Sequence, residues 1–186
     1  KNNKQWVSRG ATKLLKAINY FKINIANKIC LDLGASTGGF SQVLLKNNAK
    51  KIYSIDVGKN QLHEKLLKEK KIISIEKTNA RFLTTEQIKD SIDILVCDVS
   101  FISLKKVIKP NLKFLDNKSK LIILIKPQFE ANRKDLKKGI VKSEDVHKKI
   151  CQDIQNWLEI DCNCKFKGLI QSPIDGPKGN KEFLIF

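Results

Sequence analysis

Residues 28–41 read KICLDLGASTGGFS, and the fold turns on them. Ile29 to Leu33 is an apolar run of strand length, and Gly34, Gly38 and Gly39 follow where backbone must bend tightly or approach a ligand. Phe40, Val43, Leu44 and Leu45 then resume at helical spacing. The stretch predicts strand, glycine turn, helix. Such a turn sets backbone N–H groups beside the positive end of a helix dipole, the geometry that cradles nucleotide-type ligands at the switch point of a doubly wound sheet.

Two details narrow the ligand. A dinucleotide fingerprint needs G-x-G-x-x-G, and Gly34-Ala35-Ser36-Thr37-Gly38-Gly39 lacks the second glycine that lets backbone meet a pyrophosphate. The Gly-Lys-Ser/Thr ending of an ATP-binding P-loop is missing too. Asp32 precedes the turn, where a carboxylate suits a ligand with a cationic amine or sulfonium end. Asp56 closes the next apolar run, KKIYSID, where an acid accepts from ribose hydroxyls. Acid, glycine turn and second acid are similar to the S-adenosylmethionine site of a class I methyltransferase; any other α/β nucleotide fold remains open on this motif alone.

Working outward, residues 52–56 and 72–76 read as further strands, with a helix over 61–68 between them. Residues 8–21 form an amphipathic helix with Leu14, Leu15, Ile18 and Phe21 on one face and Ser8 as N-cap; Lys13 lies on it. Residues 92–98, IDILVCD, are a buried strand ending in an acid, and 121–126, LIILIK, one ending in a lysine. Strand C-termini of an open parallel sheet line the ligand crevice, so Asp98 and Lys126 are site candidates. A crossover helix spans 104–115, bent or ended by Pro110. From 127 to 143 apolar periodicity fades and charge is dense, which predicts a mobile active-site loop. Helical spacing returns over 144–158, and strand-like runs at 166–171 and 181–186 close the chain as an antiparallel hairpin.

The 186 residues suit one domain. Lys and Arg number 36 against 19 Asp and Glu, a net charge of +17, which points to a polyanionic partner such as nucleic acid. Only Arg9, Arg81 and Arg133 are arginines, so part of the excess reflects lysine-rich composition. No apolar run approaches the ~20 residues that span a bilayer, and the start lacks a signal-peptide core, which places the protein in the cytoplasm. Five cysteines, an odd count without secretory context, argue for reduced thiols. Cys162-x-Cys164 lacks zinc-site spacing, so no metal is expected. With no methionine in it, the chain reads as a piece whose N-terminal part lies elsewhere.

SRGATKL at 8–14, LDLGASTGGF at 31–40, IDVGKNQL at 55–62, TNARFLT at 78–84, DVSFISL at 98–104, IKPQFE at 125–130 and KGIVKSEDVH at 138–147 together resemble the TlyA family, often called hemolysin A, of FtsJ-like ribosomal RNA 2′-O-methyltransferases. The resemblance is colinear over nearly the whole chain. It implies a Rossmann-like class I methyltransferase fold, a mostly parallel seven-stranded sheet with a C-terminal antiparallel hairpin, and S-adenosylmethionine as cofactor. Ribosomal RNA or ribosomal subunits are the implied partner. Family members usually carry an S4-type RNA-binding domain before the SRG motif, so 1–7 is read as a linker remnant and 8–186 as the methyltransferase domain. The family's Lys-Asp-Lys-Glu tetrad falls on Lys13, Asp98, Lys126 and Glu182. Asp32, Gly34, Ala35, Ser36, Thr37, Gly38, Gly39 and Phe40 are implied to hold the amino acid end of the cofactor. Asp56 is implied at the ribose, Val57 at the adenine wall, Asn79 or Ala80 at the adenine side, and Asp98 at both cofactor and substrate. Arg81 is read as binding substrate phosphate or a structural carboxylate.

A ribose 2′-hydroxyl holds its proton far above neutral pH, whereas a sulfonium methyl is already activated and needs no metal. The lysines would help the oxygen, by stabilising an alkoxide or taking its proton, and Asp98 and Glu182 would orient the amines. Two other classes compete: an RNA-binding or hemolysin-type interaction protein on a non-catalytic methyltransferase fold, and a nicotinamide oxidoreductase, which the missing second glycine disfavours.

Overall fold

Short β-branched runs build the centre of the molecule. In the computed structural model, which describes residues 5–186, β1 (Ile29–Leu33), β2 (Lys51–Ile55), β3 (Ile72–Ile75), β4 (Ile92–Cys97) and β5 (Leu115–Ile125) pair in parallel in the order β3-β2-β1-β4-β5. The sheet ends in two antiparallel strands, β9 (Phe183–Ile185) beside β5 and β8 (Leu169–Gln171) at the edge. This is the expected seven-stranded α/β sheet with its terminal hairpin. A separate two-stranded ribbon joins β6 (Leu136–Lys137) to β7 (Ile140–Val141).

Alternation along the strands divides the core in two. Leu31 and Leu33 of β1 with Ile123 and Ile125 of β5 face α4 (Leu104–Asn111) and α6 (Glu144–Ile160). Cys30, Ile122 and Leu124 face α1 (Ala11–Phe21) and α2 (Gly39–Lys46). Each fully buried side chain of this kind contributes roughly 1.5–3 kcal/mol, so the sheet is a stiff platform for what its strand ends carry. Strand order reverses between β1 and β4, and the crevice beyond their carboxyl ends is where such sheets bind ligands.

Several local expectations are corrected. Helix α1 begins at Ala11 with Gly10 as N-cap, not at Ser8, whose hydroxyl turns toward Gly39 instead. The helix expected over 61–68 is only α3 (Glu64–Leu67), capped by His63, because the Glu76 carboxylate takes the N–H groups of Asn60, Gln61 and Leu62. Helix α4 runs one residue past Pro110 and tightens into a 3-10 turn at Leu112–Phe114. Residues 127–143, expected as an irregular mobile loop, fold into α5 (Pro127–Glu130), a 3-10 turn at Arg133–Asp135 and the β6–β7 ribbon. Of the segment read as a linker, residues 1–4 lie outside the described residues. Residues 5–7 lie on α2: Val7 N donates to Gln42 Oε1 at 2.8 Å, and Gln42 Nε2 to Gln5 O at 3.1 Å.

Candidate active site

The glycine turn is clamped to the neighbouring strand. Gly34 N and Ala35 N both donate to Ile55 O at 2.9 Å, and Asp98 N donates to Leu33 O at 3.0 Å. Gly34 sits at φ 82°, and a β-carbon there would lie 2.7 Å from the Asp98 carbonyl oxygen, so any side chain would drive β1 and β4 apart. At Gly39 a β-carbon would collide with Ser8 Oγ. The segment before α1 therefore closes directly over the start of α2.

These contacts leave a cleft of about 240 Å³. One wall is the turn, with Gly34, Ala35, Ser36, Thr37, Gly39 and Phe40; the other carries Ser8, Gly10, Asp98, Ser100 and Lys126. A larger cleft of about 610 Å³ lies beside the start of β5 and the end of α6. It holds none of the expected site residues, and size alone does not locate chemistry; the smaller cleft, at the switch point, has the convergent ionisable groups.

Asp32 does not line the cleft. It is fully buried under the turn, with Oδ2 accepting from Ser41 Oγ at 2.6 Å and Ser41 Oγ in turn 2.6 Å from Ser54 Oγ. Among the described residues its Oδ1 has no hydrogen-bond partner. Burial, opposed by the Ser41 hydrogen bond and reinforced by the charges of Asp98 and Asp56, pushes its carboxyl up to about 7. An unpartnered acceptor of this kind beside a narrow, glycine-lined cleft fits a ligand with a cationic donor. Asp56 is bound to the turn itself: Oδ2 accepts from Ser36 N at 2.8 Å and Oδ1 from Gly58 N at 2.7 Å. Asn79 caps a short 3-10 turn, Ala80–Phe82, by accepting from Arg81 N at 3.0 Å, and Ala80 is buried. Val57 is exposed, and neither it nor Gly38 is in the cleft wall. Gly38 supplies a φ of 96° at the start of α2. Arg81 finds no carboxylate among the described residues; its guanidinium lies over the Phe82 ring at 4.9 Å.

The four tetrad candidates form two ion pairs. Lys126, at the end of β5, places Nζ 2.6 Å from Asp98 Oδ1 and donates to Ser100 Oγ at 2.8 Å. Lys13, on the buried face of α1, places Nζ 2.6 Å from Glu182 Oε2 just before β9. Lys126 and Asp98 reach the cleft, whereas Lys13 and Glu182 do not line it.

Sequence reasoning missed the residues that brace these groups. Ser100 was visible only as part of the DVSFISL block. Glu130, inside IKPQFE, accepts from Ser103 Oγ and Leu104 N, both at 2.7 Å, and so ties α5 to the start of α4. Phe101, between them, is 89% exposed at φ 63°, with its ring 4.9 Å from that of Phe129. No local pattern announces an acid whose partners lie 26 and 27 residues away.

A parallel sheet with a reversed strand order, a glycine turn between β1 and α2, and an acid and a lysine at the ends of β4 and β5 fit a methyltransferase. The chain belongs to the FtsJ-like methyltransferase family, whose model matches residues 6–186. It is 46% identical to Hemolysin A of Brachyspira hyodysenteriae over 98% of this chain and 76% of that one. It is 36% identical to the 16S/23S rRNA (cytidine-2′-O)-methyltransferase TlyA of Mycobacterium tuberculosis, covering all of this chain and 69% of that protein. The solved structure of a hemolysin-named protein from Streptococcus thermophilus superposes with a TM-score of 0.94 at 38% identity, over 99% of this chain and 67% of that one.

Proposed function

We propose that this chain methylates a ribose 2′-hydroxyl of ribosomal RNA, using S-adenosylmethionine, in the cytoplasm. The observation that carries the reading is the placement of Lys126 Nζ, held by Asp98 and Ser100 in a wall of the same cleft that the glycine turn forms.

The cofactor supplies a methyl group already activated on a sulfonium. The turn from Gly34 to Phe40 would hold its amino acid end, with the buried carboxylate of Asp32 beneath the turn supplying charge of the opposite sign, Asp56 its ribose, and Asn79, Ala80 and Val57 its adenine side. Lys126 does the work on the acceptor. As a free amine its Nζ would accept the hydroxyl proton as the O2′–methyl bond forms and the methyl–sulfur bond breaks, and the ammonium so formed, paired with Asp98, would stabilise the charge left on O2′. Asp98 and Ser100 fix Nζ, so no reorientation is needed as charge develops. Lys13 and Glu182 support the field from behind. Holding the oxygen in line with the methyl removes an orientational cost that solution chemistry must meet. Phe101 offers an exposed face on which a displaced base can stack, which suits a nucleotide lifted from its strand.

The intact pairs speak against a non-catalytic interaction protein. Among the described residues no helix is long and apolar enough to cross a membrane. An S4-type segment ahead of such a domain would supply most of the sequence preference. Incubating the chain with S-adenosylmethionine and ribosomal subunits, then mapping 2′-O-methylation, tests the reading. New 2′-O-methyl sites that vanish with Lys126→Ala support it; cofactor binding with no methyl transfer to any ribosomal substrate overturns it.

A further inference from the structure

The chain leaves β5 at Lys126 and enters β9 just after Glu182, adding β8 to the sheet edge on the way, so the segments after β5 and before β9 start and end on residues of the two ion pairs. It is tied back to itself there. Asn180, 3% exposed, accepts from Val141 N at 3.2 Å through Oδ1 and donates through Nδ2 to Gly139 O and Pro177 O, both at 3.1 Å. His147 places Nε2 3.0 Å from Val141 O, which holds β7 from the side of α6. Gly176 N donates to Asn180 O at 2.8 Å, and this turn passes so close to Glu182 that a β-carbon on Gly176 would collide with Oε1. The β6–β7 tip and the turn before β9 also touch: a β-carbon on Gly139 would lie 3.6 Å from Lys178 Nζ.

This braced unit is strongly cationic. Residues 131–142 carry Arg133, Lys134, Lys137, Lys138 and Lys142, all exposed, against the single carboxylate of Asp135. Neither these five nor exposed Lys178 enters an ion pair among the described residues. Lys138 and Lys178 stand at φ 52° and 61°, left-handed conformations that non-glycine residues adopt at a cost. In a lysine-rich chain scattered cations mean little. Two that sit on adjoining turns, fixed by a buried asparagine two residues from Glu182, lie beside the strand end that carries Lys126, because Ile125 of β5 pairs with Phe183 of β9.

The geometry points to a phosphate-gripping rim: Lys138 and Lys178 hold backbone phosphates flanking the target nucleotide, and Asn180 is the positioning residue that fixes the rim to Glu182. The assignment rests on the RNA reading above. Point charges on phosphates set register without reading sequence, so the rim governs how substrate is held rather than the chemical step.

The test uses the full chain and a labelled single-stranded fragment of ribosomal RNA, with S-adenosylhomocysteine present so that no turnover occurs. Affinity is followed against salt for Lys138→Ala/Lys178→Ala and for a control, Lys118→Ala/Lys120→Ala, which removes the same charge at the start of β5. At ~0.7 per phosphate contact on a single strand, the rim variant loses about 1.4 from the log–log salt slope, and the control loses less than half of that. In methylation assays the rim variant raises KM for RNA about tenfold with kcat held within about twofold. Asn180→Ala, with every lysine kept, also raises KM. Equal loss of slope in the two double variants, or a fall confined to kcat, overturns the rim. If the unaltered chain methylates no RNA but the slope difference persists, the rim stands and the methyl-transfer reading fails.

Discussion

The two lysine–carboxylate pairs have the same N···O distance, 2.6 Å, and different surroundings. Lys13 and Glu182 have side chains only 9% and 0% exposed, whereas Lys126 and Asp98 are 10% and 20% exposed and reach the cleft. A pair open on one side can touch a substrate. A sealed pair can only shape the field and hold elements together, and removing one partner leaves an uncompensated charge in the core. Two lysine–carboxylate pairs thus have separable costs, chemical at the front and structural at the back.

The sharpest way to break this comparison is to remove the front lysine. Lys126→Ala is expected to slow single-turnover methyl transfer on the order of 10²–10⁴-fold while leaving cofactor affinity and thermal stability nearly intact. Turnover within a fewfold of the unaltered chain would take Lys126 out of the reaction. Behind it, Lys13→Met or Glu182→Leu alone is expected to cost about 3–5 kcal/mol in denaturant unfolding. The paired Lys13→Met/Glu182→Leu variant should recover most of that stability without recovering turnover. If Lys126→Ala destabilises as much as Glu182→Leu, front and back do not differ and the comparison fails.

How these groups could be read from sequence differs in the same way. Asp98 and Lys126 stand at the ends of apolar runs, and strand ends at a switch point are where ligands go, so local pattern was enough. Lys13 and Glu182 are partners across 169 residues, and only the family resemblance brought them together. The parallel pairing of the central strands followed from the alternation of strands and helices, and the order of the strands came only with the structure. What failed was whatever long-range side chains organise: Glu76 shortens α3 by taking three N–H groups, and Glu130, His147 and Asn180 fold residues 127–143 that composition alone marks as a loop. Asp32 was recognised as an important acid but placed against the ligand directly, whereas it is buried under the turn.

The two acids near the glycine turn repeat the contrast between sealed and open. Burial raises the Asp32 carboxyl from 3.8 to about 7. Between those values the unfolded chain gives up a proton that the folded chain keeps, so this group's contribution to stability is full below about pH 4, declines as pH rises, and is gone above about 7. Asp32→Asn should remove that ramp and raise the melting temperature at pH 8 more than at pH 4, by a few kcal/mol at most in unfolding free energy. A cationic ligand favours the ionised form, so S-adenosylmethionine affinity should climb from pH 6 to 8 in the unaltered chain and stay flat in Asp32→Asn. An equal gain from Asp32→Asn at the two pH values would show that the carboxyl titrates alike in the folded and unfolded chains.

The smallest effect is expected at the open acid, Asp56, and it separates two roles that the geometry combines. Its oxygens accept from Ser36 N and Gly58 N, so it orders the turn before any ligand arrives. Each carboxylate oxygen keeps a further lone pair for a ribose hydroxyl. Asp56→Ala loses both roles and should weaken S-adenosylmethionine binding by about 1–3 kcal/mol in titration calorimetry. Asp56→Asn keeps one acceptor oxygen, enough for the Ser36 N–H or the Gly58 N–H but not both, and with less charge than a carboxylate. If Asp56 acts mainly by shaping the turn, Asn recovers part of the affinity, and in the same proportion for S-adenosylmethionine and free methionine. If it acts on the ribose, Asn recovers little for the nucleoside ligand, and methionine binding is the same in all three proteins. Unchanged cofactor affinity in Asp56→Ala would remove it from the binding site altogether, leaving the buried Asp32 as the only acid of the turn that ligand affinity depends on.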